Sequence, residues 1–297
     1  MWLASVGAIA FSGKAIIVKL AYGYGVDAVT LIMWRMVFSL PIFLGFAWWG
    51  GRNAAPMTRR DLLGVVVLGC TGYYLASLLD FMGLQYISAS LERLILYLNP
   101  TMVLLLGWLL HRRGVVRRQW LGMSLSYVGV LLVFGRELHA QGPNVGLGAT
   151  LVFLSAVSYA IYLTLSPVLV QRLGALRLVG WATSIASVLC VAHFVVTRPW
   201  SAALVPAPVL GLSLLNAILC TAVPVLLVML AIERIGAATT AQIGMIGPMS
   251  TLLMGVVILG EPLSIWLLAG TALVLAGIMV FSARPRSTVA APPPVSK

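Results

Sequence analysis

Residues 84–133 and 232–281 align with each other without a gap at a constant offset of 148. The alignment pairs Ile87 with Ile235, Ala89 with Ala237, Pro100 with Pro248, Gly107 with Gly255, Gly122 with Gly270 and Gly129 with Gly277. Matching leucines carry little weight in so apolar a chain. Matching glycines and prolines carry more, because Gly permits close helix approach and Pro interrupts the hydrogen-bond ladder. The segment therefore reads as an internal duplication.

The rest of the chain says what is duplicated. Of 297 residues, 61% are hydrophobic and only 9% charged, against about 25% charged in a soluble domain. The apolar runs have the length of membrane-spanning helices and lack the alternation of barrel strands. Ten spans are expected, near residues 2–22, 28–49, 61–81, 90–110, 119–135, 146–170, 178–197, 208–230, 238–260 and 264–283. The fold class is an all-α integral membrane protein of ten transmembrane helices. Each half, 1–135 and 146–283, holds five spans. Five is odd, so the second copy enters the bilayer from the opposite side, and the halves are inverted repeats. The Pro-rich segment 284–297 is expected to be a disordered cytoplasmic tail.

The net charge of +12 does not form one nucleic-acid-binding face. The basic residues lie in short loops between spans. With the N-terminus placed in the cytoplasm, thirteen Lys and Arg fall on that side, and only Arg136 and Arg198 on the other. The positive-inside rule thus puts both termini in the cytoplasm of a bacterial inner membrane. Cys70, Cys190 and Cys220 fall inside spans with neither zinc nor disulfide spacing, so plain burial is expected of them.

Five stretches together carry a family resemblance. They are FSGKAIIVKL (11–20), WRMVFSLPIF (34–43), LQYISAS leading into YLNP (84–100), IGAATTAQIGMIGPMSTLLMGVVILGEPLS (235–264) and LLAGTALVLAGIMV (267–280). The chain resembles the EamA branch of the drug/metabolite transporter superfamily over nearly its whole length. Within that branch it is similar to the YddG-type aromatic amino acid exporters. The resemblance implies ten helices, inverted five-helix repeats and export of small metabolites, often amino acids. Two departures stand out. Arg113-Gly114 occupies the place of Glu261-Pro262 in the other repeat, and span 1 holds no acid, only Lys14 and Lys19.

Ionisable groups inside spans are candidates for function. Lys14 and Arg35 each lie roughly 11–12 Å below the outer surface at 1.5 Å per residue. They could flank one cavity and hold a substrate carboxylate, or Arg35 could bond loop carbonyls or Glu92. Glu92 and Arg93 diverge by about 100° on a helix and need separate partners. Asp80 could serve Arg93, as a gate or as an interfacial pair. Pro100 and Pro248, preceded by Asn99 and Gly247, interrupt corresponding mid-span positions, which marks a binding site or simple bending. Pro224 has Ala76 as its counterpart and reads as a break in one half only. The candidate substrate-binding set is Ser12, Lys14, Tyr74, Ser77, Tyr97, Asn99, Tyr159, Tyr162, Gln242 and Met245. The candidate gating or structural set is Arg35, Asp80, Glu92, Arg93, Pro100, Pro224 and Pro248. Tyrosines give an aromatic face and a hydroxyl, for a cavity or for packing.

Phosphate loops, HExxH and G-x-S-x-G are absent from the sequence, so no catalytic residue, metal or cofactor is called for. The expected protein is a monomeric secondary transporter exporting small organic metabolites, foremost aromatic amino acids, with the lipid bilayer and the substrate as its partners. A proton-coupled drug or metabolite exporter and an integral membrane lipid-modifying enzyme are the alternatives. A facilitator without strict proton coupling is preferred, because Asp80 and Glu92 are expected near the outer boundary, where water hydrates them. Spans 5 and 10, being short and rich in small residues, are expected at the periphery.

Overall fold

The computed structural model describes residues 2–52, 54–111, 116–141, 144–227 and 246–282. The described residues are helices and their connections, without a strand. Among the described residues eight helical segments, three of them interrupted, are long and apolar enough to cross a membrane, and two shorter apolar helices, 249–259 and 265–280, accompany them. The lipid-sized faces explain the composition: Trp48, Trp49, Leu131 and Val257 all stand exposed. Such side chains suit hydrocarbon, which forces every backbone group to be satisfied within a helix.

Helix α1 is Trp2–Tyr22 and α2 is Ala28–Gly51, capped by Asp27, which accepts from the backbone N–H of Val29 and Thr30. Helix α3, Arg59–Gly69, starts in a Thr58–Asp61 capping box. It runs through a π turn, Cys70–Leu75, into α4, Ala76–Leu84. Helix α5 is Ala89–Leu96 and α6 is Asn99–His111. Then come α7, Arg117–Gln141, α8, Asn144–Leu173, and α9, Ala175–Thr197. Helix α10, Ala207–Ala217, enters a second π turn, Ile218–Ala222, and stays helical to residue 227. Helices α11, Ile246–Leu259, and α12, Ile265–Ser282, are the last of the described residues.

Three expectations change here. Span 4 is two helices rather than one bent helix. The chain turns at Tyr97–Leu98, and Pro100 falls in the first turn of α6, where its missing N–H costs nothing. The break in span 8 is also not confined to one half. The π turns start at Cys70 and Ile218, 148 residues apart, although only the second precedes a proline. In the first, Ser158 and Ser155 on α8 donate to the carbonyls of Thr71 and Ala76, so tertiary hydrogen bonds support the widened turn. Span 5 is not short: α7 has 25 residues.

Small residues set the closest helix contacts. Helices α7 and α12 pack antiparallel. A Cβ on Gly129 would lie 2.6 Å from the Gly270 carbonyl oxygen, and one on Gly277 would lie 2.6 Å from that of Gly122. Helix α2 packs along α9, where Gly50 admits the backbone of Arg177. Helix α1 lies against α10 and α11, while α8 lies against α4 and α6.

Candidate functional site

Helices α1, α2, α4, α5, α6, α8 and α9 and both π turns surround a cavity of about 340 Å³. Its wall has a charged end and an aromatic end. Lys14, Arg35, Asp80 and Arg93 reach it at one end, and Tyr73 and Tyr159 at the other, with Phe11, Ser77, Tyr97, Asn99 and Pro100 also in the lining. Interrupted helices bring the backbone to the wall at three places: the π turns contribute Gly72, Tyr73, Cys220 and Thr221, and the α5–α6 break contributes Leu96, Tyr97 and Asn99. Single π turns inside α-helices are frequent at functional sites.

The aromatic end is built by stacking. Tyr159 and Tyr162 stack with ring centroids 5.5 Å apart, and Tyr73 meets Tyr162 edge-on at 5.2 Å. The hydroxyls of Tyr73 and Tyr162 lie 3.1 Å apart. Gly72 leaves the room for Tyr162, since a Cβ there would lie 2.5 Å from its ring. Tyr162 thus backs the cavity wall instead of forming it.

At the charged end Glu92 and Arg93 take separate partners as expected, but the partners themselves differ from those expected. Lys14 Nζ donates to Asp80 Oδ2 at 2.6 Å and lies 3.6 Å from Glu92 Oε1, so its ammonium is engaged by protein carboxylates. Arg93 is not paired with Asp80. Its Nε donates to Thr251 Oγ1 at 3.0 Å, its Nη2 donates to the Phe11 carbonyl at 3.2 Å, and its guanidinium lies over the Phe11 ring. Arg35 bonds neither loop carbonyls nor Glu92. Its Nη2 donates to Ser77 Oγ at 2.8 Å and its guanidinium lies 4.6 Å from the Phe81 ring centroid. Among the described residues neither arginine has a carboxylate in ion-pair contact. Both are nonetheless buried in the cavity wall, Arg35 with its Nε unbonded.

Asp80 and Glu92 are not hydrated at a boundary. They are 2% and 0% exposed, because α1, α5 and α8 close over them. Two further carboxylates hold this corner in place. Glu261 accepts from the backbone N–H groups of Ala89 and Ser90 and from Ser90 Oγ, and Glu137 accepts from Ser88. Both sit at the positive end of the α5 dipole. The Glu261-Pro262 loop of one half thus clamps the helix that carries Glu92 and Arg93 in the other.

Other candidates sit elsewhere. Ser12 is buried and donates to the carbonyls of Ala8 and Gly247, joining α1 to α11 away from the lining. Tyr74 bonds His193 Nδ1 at 2.7 Å. Pro224 follows the second π turn. Gln242 and Met245 lie outside the described residues, and Pro248 is described only as backbone of α11. Phe11, Thr183, Thr221 and Val225 line the cavity but were not singled out in the sequence. They were findable, being the 148-residue counterparts of Tyr159, Arg35, Tyr73 and Ser77. Cys220, expected to be merely buried, is the counterpart of Gly72 and also lines the wall.

Outside the spans, Asp27 and Arg198 join the start of α2 to the end of α9 at 3.0 Å. Burial pushes the Asp27 carboxyl up, but hydrogen bonds from Thr30 and Arg198 outweigh it and hold the group below its ordinary value.

Comparison with known families decides the class. Residues 1–135 and 146–283 both match the model of the EamA-like transporter family. The chain belongs to that family. Among its relatives is the uncharacterized transporter YcbK of Bacillus subtilis (strain 168), 29% identical over 88% of this chain and 85% of that protein. The S-adenosylmethionine/S-adenosylhomocysteine transporter of Chlamydia muridarum (strain MoPn / Nigg) is 27% identical over 56% of this chain and 55% of its own length. A crystal structure with 16% identity superposes at a TM-score of 0.65, covering 94% of this chain and 95% of the other, which shows the shared fold. The EamA-like chain is therefore a multi-pass membrane transporter and not an enzyme.

Proposed function

We propose that the cavity is the transport site of a carrier exporting small zwitterionic metabolites, aromatic amino acids foremost, across a bacterial inner membrane. The carrying observation is the cavity's division into a charged and an aromatic end. Two buried guanidiniums, Arg35 and Arg93, which have no carboxylate partner among the described residues, match a substrate carboxylate. Asp80 and Asn99 face the amine, and Tyr159 and Tyr73 face an apolar or aromatic side chain. A cavity of about 340 Å³ suits a molecule of this size.

Residues 1–135 and 146–283 act in this proposal as inverted five-helix repeats that rock about the cavity, in a monomer with both termini cytoplasmic. Reciprocal contacts support it: α1 on α11 answers α8 on α6, and α1 on α10 answers α8 on α4. Lining residues also occur in counterpart pairs, Phe11 with Tyr159, Arg35 with Thr183, Gly72 with Cys220 and Ser77 with Val225.

S-adenosylmethionine is a second substrate to weigh, because it too joins an amino-acid head to an aromatic ring and the Chlamydia relatives are named for it. Counterflow in proteoliposomes separates the two. Vesicles preloaded with unlabelled L-tryptophan, L-phenylalanine or S-adenosylmethionine are expected to take up the same labelled compound saturably, the amino acids best. Absence of exchange with all three would sink the amino-acid reading.

A further inference from the structure

Glu92 lies just behind the cavity wall, 0% exposed, and neither of its carboxyl oxygens accepts a hydrogen bond. Asp80 reaches the wall, and its Oδ1 is equally bare. Both acids turn to one cation, Lys14, at 2.6 and 3.6 Å. Among the described residues this corner therefore holds three buried acceptors that lack a donor, and two carboxylates for one ammonium. Bare buried acceptors are costly, and two carboxylates in one dry site favour holding a proton between them.

Among the described residues the surrounding charges do not supply the missing donor. On α5 itself, Arg93 points to Thr251 and Phe11, and Tyr97 caps its C-terminus. On α2, Arg35 is spent on Ser77 and Phe81. On α1, Lys19 lies near Glu261 and Glu137, and Tyr22 donates to the Phe81 carbonyl. Glu137 on α7 is bonded to Ser88. Helix α8 brings Tyr159 and Tyr162 to the other end of the cavity and Arg172 to Asp61, while α11 and α12 carry no ionisable side chain.

We propose that Asp80 and Glu92 share one exchangeable proton, and that the ammonium of a zwitterionic substrate displaces it, making the carrier a proton antiporter. With the site empty, the Glu92 O–H donates to Asp80. As substrate enters, its N–H groups donate to Asp80, the proton leaves to water through the cavity, and no bond in the substrate changes. Proton and substrate thus exclude each other, and the repeats reorient with one or the other bound. This rests on the transport-site reading above and replaces the facilitator expected from the sequence, whose premise was hydrated carboxylates.

Two measurements test it, the first without any substrate. Infrared spectra of the purified protein at neutral pH should contain a protonated-carboxyl C=O band that disappears in Glu92→Gln and in Asp80→Asn, both checked for monodispersity. An identical band, or none, in all three proteins overturns the shared proton. The second uses vesicles with an acidic lumen and labelled L-phenylalanine outside. Wild type is expected to accumulate it uphill and to lose that accumulation with a protonophore, whereas Glu92→Gln should equilibrate the label without concentrating it. Robust counterflow without accumulation, or accumulation driven only by an alkaline lumen, overturns antiport. Failure of counterflow itself strikes the substrate assignment, and the infrared band still decides the proton pair.

Discussion

Ser126 Oγ donates to the carbonyl oxygen of Val274 at 3.4 Å, and each residue is the other's counterpart at the 148-residue offset. A residue touching its own copy marks the place where a two-fold relation between the halves would pass. Gly122 meets Gly277 and Gly129 meets Gly270 on either side of it, each contact the exchange of the other.

This seam has no room for side chains. Gly129→Leu and Gly277→Leu should each lower stability by about 1–3 kcal/mol through overpacking. Gly107→Ala should be close to neutral or slightly favourable, since a Cβ there meets nothing within 4 Å. Thermal unfolding in detergent checks this, and equal Tm values for Gly129→Leu and Gly107→Ala would contradict the close contact.

The two guanidiniums are expected to act in substrate binding. Arg93→Lys and Arg35→Lys keep the charge but lose the fork, and charge-assisted bonds of about 1.5–3 kcal/mol predict KM for L-phenylalanine counterflow rising about tenfold or more. Tyr159→Ala should weaken L-phenylalanine more than L-alanine. An equal effect on both amino acids would leave Tyr159 a packing residue.

Thiol labelling distinguishes wall from interior. With Cys70, Cys190 and Cys220 replaced, Ser77→Cys and Asn99→Cys should react with a water-soluble thiol reagent, and Ser12→Cys and Ser126→Cys should not. Restoring Cys220 alone should restore labelling, while Cys190 alone should stay silent. The reverse pattern would place the pathway elsewhere.

Acid should loosen the link between α2 and α9. Asp27 is held below its ordinary value in the fold. Its contribution is therefore complete above the unfolded value of about 3.9 and fades as pH falls from there through the folded value. Wild type should lose more Tm than Asp27→Asn on acidification below about pH 4. Partial exposure and screening keep the difference small. Parallel pH curves for the two proteins would show the pair to be inert.

The duplication, the spans and the offset were legible in the sequence because hydropathy and repeats are properties of residues in order, and a bilayer sorts helices by length and apolarity alone. The positions of Tyr159, Asn99, Ser77, Lys14 and Arg35 around a cavity were within reach of the same reading, as depth follows from residue count along a helix. Pairing was not. Whether Lys14 serves a substrate or holds Asp80 depends on the rotation of α1 against α4 and α5, and whether Glu92 is wet depends on how closely α1 and α8 cover it. The π turn at Cys70 likewise depends on hydrogen bonds from a distant helix, those of Ser155 and Ser158. Only the tertiary structure decided these, because burial and ion pairing arise from the neighbours that exclude water, and those neighbours lie far away in the chain.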